Sequence, residues 1–301
     1  GAAPGVQIIS SNGDPTSNSP TIRIRGVGSI SASINPLIIL DGVPYDGAIS
    51  DINPQDVANM TVLKDAASAA IYGHRGANGV IIITTQKGQK GEAKVNFDVR
   101  LGTNTLLIPS YDVIIDPAQY YETHFRMMYN TYLDSGSYTE DQAYQLACKN
   151  IYDRDNGGLG YRVYDYPEGQ QLIGRDFKLN PNATLGWSDG DYFYTPDDWY
   201  SQTFHNSFRQ EYNVSVSGAS EKLNYYAGAG YLDDKGVVNN SDYKRYSVRL
   251  NTDYQMKKWL KFTGNLSYTY SESQRPYYTD TYGSSGNLFY IVNTMGAIYP
   301  L

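Results

Sequence analysis

Between Trp187 and Tyr200 the sequence sets Trp187, Tyr192, Phe193, Tyr194, Trp199 and Tyr200 among the carboxylates of Asp189, Asp191, Asp197 and Asp198. A flat ring offers an apolar face on which a sugar can stack, and a carboxylate accepts hydrogen bonds from hydroxyls. Trp187, Tyr192, Tyr194 and Trp199 are therefore candidate substrate-binding residues. The competing reading of the same rings is loop packing together with an aromatic girdle at a membrane surface. A second acidic run, Asp153-Arg154-Asp155-Asn156-Gly157, hints at Ca2+, although the Glu that closes a full calcium loop is absent.

Catalytic chemistry has no foothold in the chain. G-x-S-x-G, H-E-x-x-H, Walker A and a G-x-G-x-x-G after a strand are all missing. His74, His124 and His205 lie in unrelated contexts and make no ligand set. Cys148 is the only cysteine, so it closes no internal disulfide and has no C-x-x-C partner. The expected protein is not an enzyme. A net charge of −7 without any Lys/Arg run argues against nucleic acid as a partner.

The elements that position these residues follow two patterns. Up to about residue 90 the chain is dense in Gly, Pro and Asp turns with short apolar runs between them: Ile22 to Val27, Leu37 to Leu40 ending in Asp41-Gly42, and Val80 to Ile83. The Ala-rich stretch Leu63 to Tyr72, stopped by Gly73, predicts a helix, with Asp65 favouring its N-terminus. Together these predict a small α/β domain. From about residue 95 the pattern is period-two alternation. Val95, Phe97, Val99 and Leu101 oppose Asn96, Asp98 and Arg100, and Tyr212, Val214 and Val216 oppose Asn213, Ser215 and Ser217. Leu223 to Tyr231, Tyr246 to Tyr254 and Leu260 to Tyr270 repeat it.

One face of each strand is apolar and the other mostly charged, amide or small. The composition agrees: 30 Tyr, 8 Phe and 3 Trp, with 18% charged residues. Tyrosine, apolar in its ring and polar at its tip, suits surfaces that are half wet. No apolar run approaches the ~20 residues of a membrane helix. A barrel whose outward face is apolar and a soluble sandwich both fit the alternation. Short links at Gly218 to Lys222 and Gln255 to Trp259, against long ones at Asp233 to Tyr243 and after the first strand, favour the barrel. In a barrel, Val99, Val214, Val248 and Leu266 face lipid, and Arg100, Asn213, Arg249 and Asn265 face the lumen. Within the long segment from about Leu106 to Gln202, the spacing of Tyr121, Phe125, Met128 and Tyr132 after Asp116-Pro117 predicts a helix near Ala118 to Leu133.

Four runs now bear comparison with a known family: Arg23-Ile24-Arg25-Gly26, Pro36 to Pro44, Leu63 to Gly73 and Ala77 to Thr85. In their order and spacing they resemble the plug of the SusC/RagA-type TonB-dependent transporters. Asp198-Trp199, Asn213 to Gly218 and Lys244-Arg245-Tyr246-Ser247 are similar to that family's first barrel strands. Residues 111 to 190 match loosely, as a variable external loop does.

The resemblance implies a mainly β chain: a small α/β plug over residues 1–90, then over 91–301 the first strands and external loops of a transmembrane antiparallel barrel of about 22 strands. It implies location in the bacterial outer membrane and TonB-driven import of large nutrients, oligosaccharides or oligopeptides, with the plug gating the barrel. The partners it implies are a SusD-like lipoprotein lid, outer-membrane lipid, and TonB acting through a segment upstream of Gly1. A plug in a polar lumen needs polar contacts, and Arg23 and Arg25 are expected to pair with inward acids such as Asp98 or Asp253. Equally open is a role for both arginines in capping loops within the plug. A receptor for small chelates, such as a siderophore or corrinoid, and a soluble β-rich glycan-binding module are the alternatives.

Overall fold

The computed structural model describes residues 6–9, 21–24, 35–64, 70–107, 112–275 and 288–300. The chain divides into two compact units, residues 1–105 with 206–276, and 106–205 with 277–301.

In the first unit, β1 (Val6–Ile9) and β2 (Thr21–Ile24) form an antiparallel pair. A four-stranded sheet follows, made of β3 (Leu37–Leu40), β4 (Val43–Tyr45), β5 (Val57–Leu63) and β6 (Val80–Thr85) in the order β4-β3-β6-β5. Its two central strands, β3 and β6, run parallel. Central parallel strands are covered on both faces, which explains why Leu37–Leu40 and Val80–Ile83 are unbroken apolar runs. Ile81 and Ile83 pack with Ile22, Ile24 and Ile52, whereas Leu37 and Ile39 pack with Val80. Of the Ala-rich run expected to form a helix, only the two ends lie among the described residues. Leu63 ends β5, paired with Val80, because its β-branched neighbours extend the sheet; residues 70–76 form tight 3-10 turns broken at Gly73, with φ 61°. Asp65 and the four residues after it lie outside the described residues.

The same unit holds a five-stranded antiparallel wall: β7 (Gly91–Asn104), then, beyond the second unit, β12 (Ser207–Ala219), β13 (Leu223–Lys235), β14 (Asp242–Lys257) and β15 (Leu260–Gln274). The order is β15-β14-β13-β12-β7. Register puts Val214, Ala229, Val248 and Tyr268 in one row across four strands, and Tyr212, Tyr231, Tyr246 and Tyr270 in another. Consecutive tyrosine rings in that second row lie 6.3, 5.0 and 6.3 Å apart. Tyr254, opposite Phe262, marks the far end of the apolar zone. It lies about 27 Å from Tyr246 along the strand, or about 20 Å measured across strands tilted as in outer-membrane barrels. Val248 and Leu266 are 54% and 66% exposed, so this chain leaves the apolar face bare. The opposite face buries Glu211, Asn213, Arg245, Ser247, Arg249 and Asn251. The link from β13 to β14 is shorter than expected. Asp233, Asp234 and Lys235 continue the ladder opposite Lys244, Tyr243 and Asp242, so only residues 236–241 turn.

The second unit contains α1 (Pro117–Asp134), α2 (Glu140–Asn150), the short strands β8 (Tyr164–Asp165), β9 (Thr184–Leu185), β10 (Trp187–Ser188) and β11 (Phe193–Tyr194), and the helices α3 (Trp199–Thr203) and α4 (Leu288–Thr294). Asp116 caps α1 by accepting from Ala118 N and Gln119 N, and Tyr121, Phe125 and Met128 form its buried stripe. Helix α2 buries Ala143, Tyr144, Ala147 and Asn150 along one face. It is fixed by a capping box, in which Thr139 Oγ1 accepts from Gln142 N and the Gln142 side chain accepts from Thr139 N. The core joins both helices to Ile151, Val163 and Ile173. Two of its buried tyrosines have their hydroxyls satisfied, Tyr121 donating to Tyr161 O at 2.6 Å and Tyr144 to Ile173 O at 2.8 Å, whereas the Tyr152 hydroxyl is buried without a partner. Burial pushes the Tyr144 hydroxyl up to about 12.

Phe125, fully buried between Tyr144 and Phe177, tests this core. Phe125→Ala is expected to lower the free energy of opening α1 and α2 by about 3–5 kcal/mol. Hydrogen exchange in the full-length protein measures it, with faster exchange at the α1 and α2 amides and unchanged exchange in β13 and β14.

Candidate functional site: the seam between the small sheet and the wall

Two glycines in the middle of β13 let the small sheet approach the wall. A Cβ at Gly228 would lie 2.9 Å from Asp56 Oδ1, and one at Gly230 would press on Asn53, Asn213 and Ser247. Glycine inside a strand marks such a close approach. The 3-10 turn Pro54–Asp56 lies over them, capped by Asn53, whose side chain accepts from Gln55 N. Asn53 Nδ2 donates to Asn213 Oδ1 at 2.8 Å and to Ser247 Oγ at 3.2 Å. Tyr226 donates its hydroxyl to Asp56 Oδ1 at 2.8 Å.

Opposite Gly228 in register stands Arg249, whose side chain is 6% exposed. Its Nη1 donates to Asp41 Oδ2 at 3.3 Å, and its Nε lies 3.5 Å from Asp56 Oδ2. The second contact is a charge pairing without hydrogen-bond alignment, since Nε has no hydrogen-bond partner. Asp41, held at φ 49° in the β3–β4 turn, also accepts from Thr85 N at 2.9 Å and Thr85 Oγ1 at 2.7 Å. One guanidinium thus joins two separate segments of the small sheet to the wall. On either side along β14, Arg245 Nη1 donates to Ser50 O at 2.7 Å, and Asn251 Nδ2 donates to Thr85 Oγ1 and Gln86 O, both at 2.8 Å.

The expected contact residues are distributed differently. Asp253 lies 3.5 Å from Lys87, which follows the small sheet, and 3.4 Å from Lys261 on β15. Asp98 pairs with Arg100 on its own strand at 3.0 Å, and the Gln55 amide oxygen accepts from that same Arg100. The expected pairing of these acids with Arg23 is therefore not what forms: both already have partners, and Arg23 Nε is buried without a hydrogen bond. Arg25 lies outside the described residues. Asp41, Asp56 and Gly228, which sequence reasoning missed as contacts, had one signal: strand-interior glycines facing the polar side.

In the second unit, three of the four candidate binding rings meet in the β10–β11 hairpin. Trp187 stacks on Tyr194 at 5.2 Å, Tyr192 lies 6.5 Å from Tyr194, and Arg162 sits 4.9 Å from the Trp187 ring. Trp187 and Tyr194 are thus engaged in packing, while Tyr192 is 70% exposed. Trp199 stands apart in α3 and donates from its indole nitrogen to Tyr299 O at 2.9 Å. Asp189 closes the hairpin tip, accepting from Tyr192 N at 2.8 Å and the Tyr194 hydroxyl at 2.6 Å. That hydroxyl holds Asp189 below the usual carboxylate range, and the carboxylate in turn pushes Tyr194 up to about 12. Asp153 spends its carboxylate on its own turn, accepting from Asp155 N and Asn156 Nδ2. Among the described residues no three His, Cys, Asp or Glu side chains converge as a metal site.

The TonB-dependent receptor plug domain matches residues 1–80. TonB-dependent receptor SusC of Bacteroides thetaiotaomicron is 31% identical over 295 residues, which cover 95% of this chain and 23% of SusC. A TonB-dependent receptor of Formosa agariphila is 28% identical over 91% of this chain and 23% of its own length. The RagAB peptide transporter superposes with a TM-score of 0.69 at 28% identity, covering 98% of this chain and 31% of that one. The RagAB peptide importer in its closed-closed state gives 0.67 at 26% identity, over 98% of this chain and 30% of that one. The chain belongs to the SusC/RagA type of TonB-dependent transporter. It spans about 23% of the length of these two curated relatives. The small sheet is thus the SusC/RagA-type plug and the five-stranded sheet the start of the barrel.

Two outcomes follow for this SusC/RagA-type chain. Arg249→Ala leaves Asp41 and Asp56 buried without their counter-charge and is expected to loosen the plug by about 3–5 kcal/mol, whereas Arg249→Met with Asp41→Asn and Asp56→Asn recovers most of it. Exchange rates of the Thr85 and Gln86 amides check both variants. At the hairpin, Tyr194→Phe should return the Asp189 pKa toward its ordinary value near 3.9, read by NMR titration. Because the folded pKa is depressed, this contribution is complete above the unfolded value and disappears as pH falls through the folded one.

Proposed function

We propose that this chain supplies the plug, residues 1–90, and the first barrel strands and external loops, residues 91–301, of an outer-membrane importer. The importer carries oligosaccharides or oligopeptides inward by TonB-dependent active transport. The observation that carries this reading is the two-faced wall. One side is a polar seam occupied by the plug. The other is a bare apolar band bounded by a tyrosine row. On this reading Val99, Val214, Val248 and Leu266 lie in lipid.

The chemistry of the seam suits a plug that must move. Each neutral hydrogen bond there can be exchanged for one to water, at a net difference of about 0.5–1.5 kcal/mol. A buried ion pair likewise returns much of its desolvation cost when water re-enters. Withdrawing the plug from this wall therefore exposes little apolar surface. TonB, pulling through a segment upstream of Gly1, supplies the work, and a SusD-like lipoprotein covers the outer mouth, as in the family. Tyr192, with Trp187 and Tyr194 behind it and Trp199 nearby in sequence, is the proposed cargo contact of the external loops.

Val248→Arg is expected to destabilise the full-length protein in lipid by about 2–4 kcal/mol near the bilayer midplane. Arg249→Ala, one residue away on the polar face, should leave barrel folding intact and affect only the plug; heat-modifiable gel mobility distinguishes the two. For transport, cells expressing the full-length protein are compared with cells expressing a version deleted upstream of Gly1, both fed a high-molecular-weight glycan or peptide source. Loss of uptake is expected in the deleted version, and uptake at the full-length rate would overturn the TonB-driven mechanism.

A further inference from the structure

Among the described residues the plug is not held evenly along the five-stranded wall. Toward β14 and β15 the bonds are direct: Arg245 to Ser50, Arg249 to Asp41, Asn251 to Thr85, and Thr269 Oγ1 to Asp51 O at 3.3 Å. Toward β7 and β12 the direct ties are the Gln55 amide oxygen, which accepts from Arg100 beside Asp98, and Asn53 Nδ2, which donates to Asn213 Oδ1 at 2.8 Å. Between the plug and strands β7 and β12 lies a cavity of about 410 Å3, whose lining includes Gln89, Asn96, Asp98, Ser215 and Ser217. A cavity of this size with polar walls holds water. Among the described residues, parting the surfaces along this cavity breaks the Asn53–Asn213 bond and the Gln55 contact, fewer direct bonds than along β14 and β15, and exposes groups that already line the cavity. Parting them along β14 would strip partners from Arg249 and Asn251, both nearly completely buried.

We propose that the plug leaves the wall first along β7 and β12 while its β14–β15 side stays attached as the hinge. The seam lined by Asn96, Asp98, Ser215 and Ser217 is then the lane for hydrophilic cargo. This rests on the import reading above and adds where the path opens.

Two disulfide locks in the full-length protein, in a Cys148→Ser background, test it. Gln55→Cys with Asp98→Cys spans the seam where the two side chains lie 3.5 Å apart. Asp51→Cys with Ser271→Cys spans the β15 side, where Ser271 Oγ lies 3.4 Å from Asp51 Oδ1. Mass spectrometry verifies each link, and a short bifunctional thiosulfonate replaces a disulfide that does not close. Uptake of a labelled oligosaccharide mixture and a labelled peptide mixture is followed with and without reductant. The oxidised seam lock is expected to cut uptake about tenfold or more, reversibly, and the oxidised β15 lock to change it by less than about twofold. Block by both locks, by neither, or by the β15 lock alone overturns the proposed lane while leaving import standing. Absence of TonB-dependent uptake of both mixtures by the unlocked protein overturns the import reading instead, and this proposal with it.

Discussion

A guanidinium buried in the seam cannot remain without counter-charge, and much of the first unit is arranged around that constraint. Arg249 is met by Asp41 and Asp56, which come from two turns separated by a strand and a 3-10 turn. Bringing Asp41 into place requires a left-handed backbone at a non-glycine residue, and its carboxylate is fixed by Thr85 at the end of β6. Bringing Asp56 into place requires the wall to offer no side chain at Gly228. The plug's turns, the end of its central strand and the composition of β13 are thus tied to one charge.

The wall itself is built on a second constraint, the strict alternation of strand side chains. Because neighbours point to opposite faces, Val248 and Arg249 share a backbone and meet entirely different surroundings. Register then aligns like with like across strands, producing a tyrosine row at one level and Val214, Ala229 and Val248 at another. A shift of one residue would place arginine on the apolar side and tyrosine in the seam. The seam's hydrogen bonds therefore help to fix the register as well as to seat the plug.

In the second unit aromatic residues serve mainly as structure. Tyr121, Phe125 and Tyr144 form the core around two helices, and Trp187 is held between Tyr194 and Arg162. Rings used this way position the hairpin and leave Tyr192 and Phe193 at its surface. The division of labour follows from neighbours in space: Trp187 and Tyr192 look alike in a list of aromatic residues, and only packing separates scaffold from surface.

What the sequence determined by itself is whatever depends on short-range periodicity. The alternation of the wall strands, the α1 stripe behind Asp116-Pro117 and the plug motifs in their order are all legible along the chain, because each is a repeat or turn defined within a few residues. The Ala-rich run shows the limit: propensity predicted helix from Leu63, whereas pairing with Val80 drew that residue into the sheet. Helix α2 was missed although its capping box, Thr139 with Gln142, and the helical spacing of Ala143, Tyr144 and Ala147 stand in the sequence. The extended β13–β14 ladder rests on a cross-strand register, which leaves little periodic trace. Which acids meet which bases was not legible at all. Asp98 and Asp253 carried the right charge, yet their partners are Arg100, Lys87 and Lys261, while Arg249 found Asp41 from 208 positions away. Only the tertiary structure decides such pairs, because Coulomb attraction and desolvation act through distances in space that the spacing of residues along the chain does not encode.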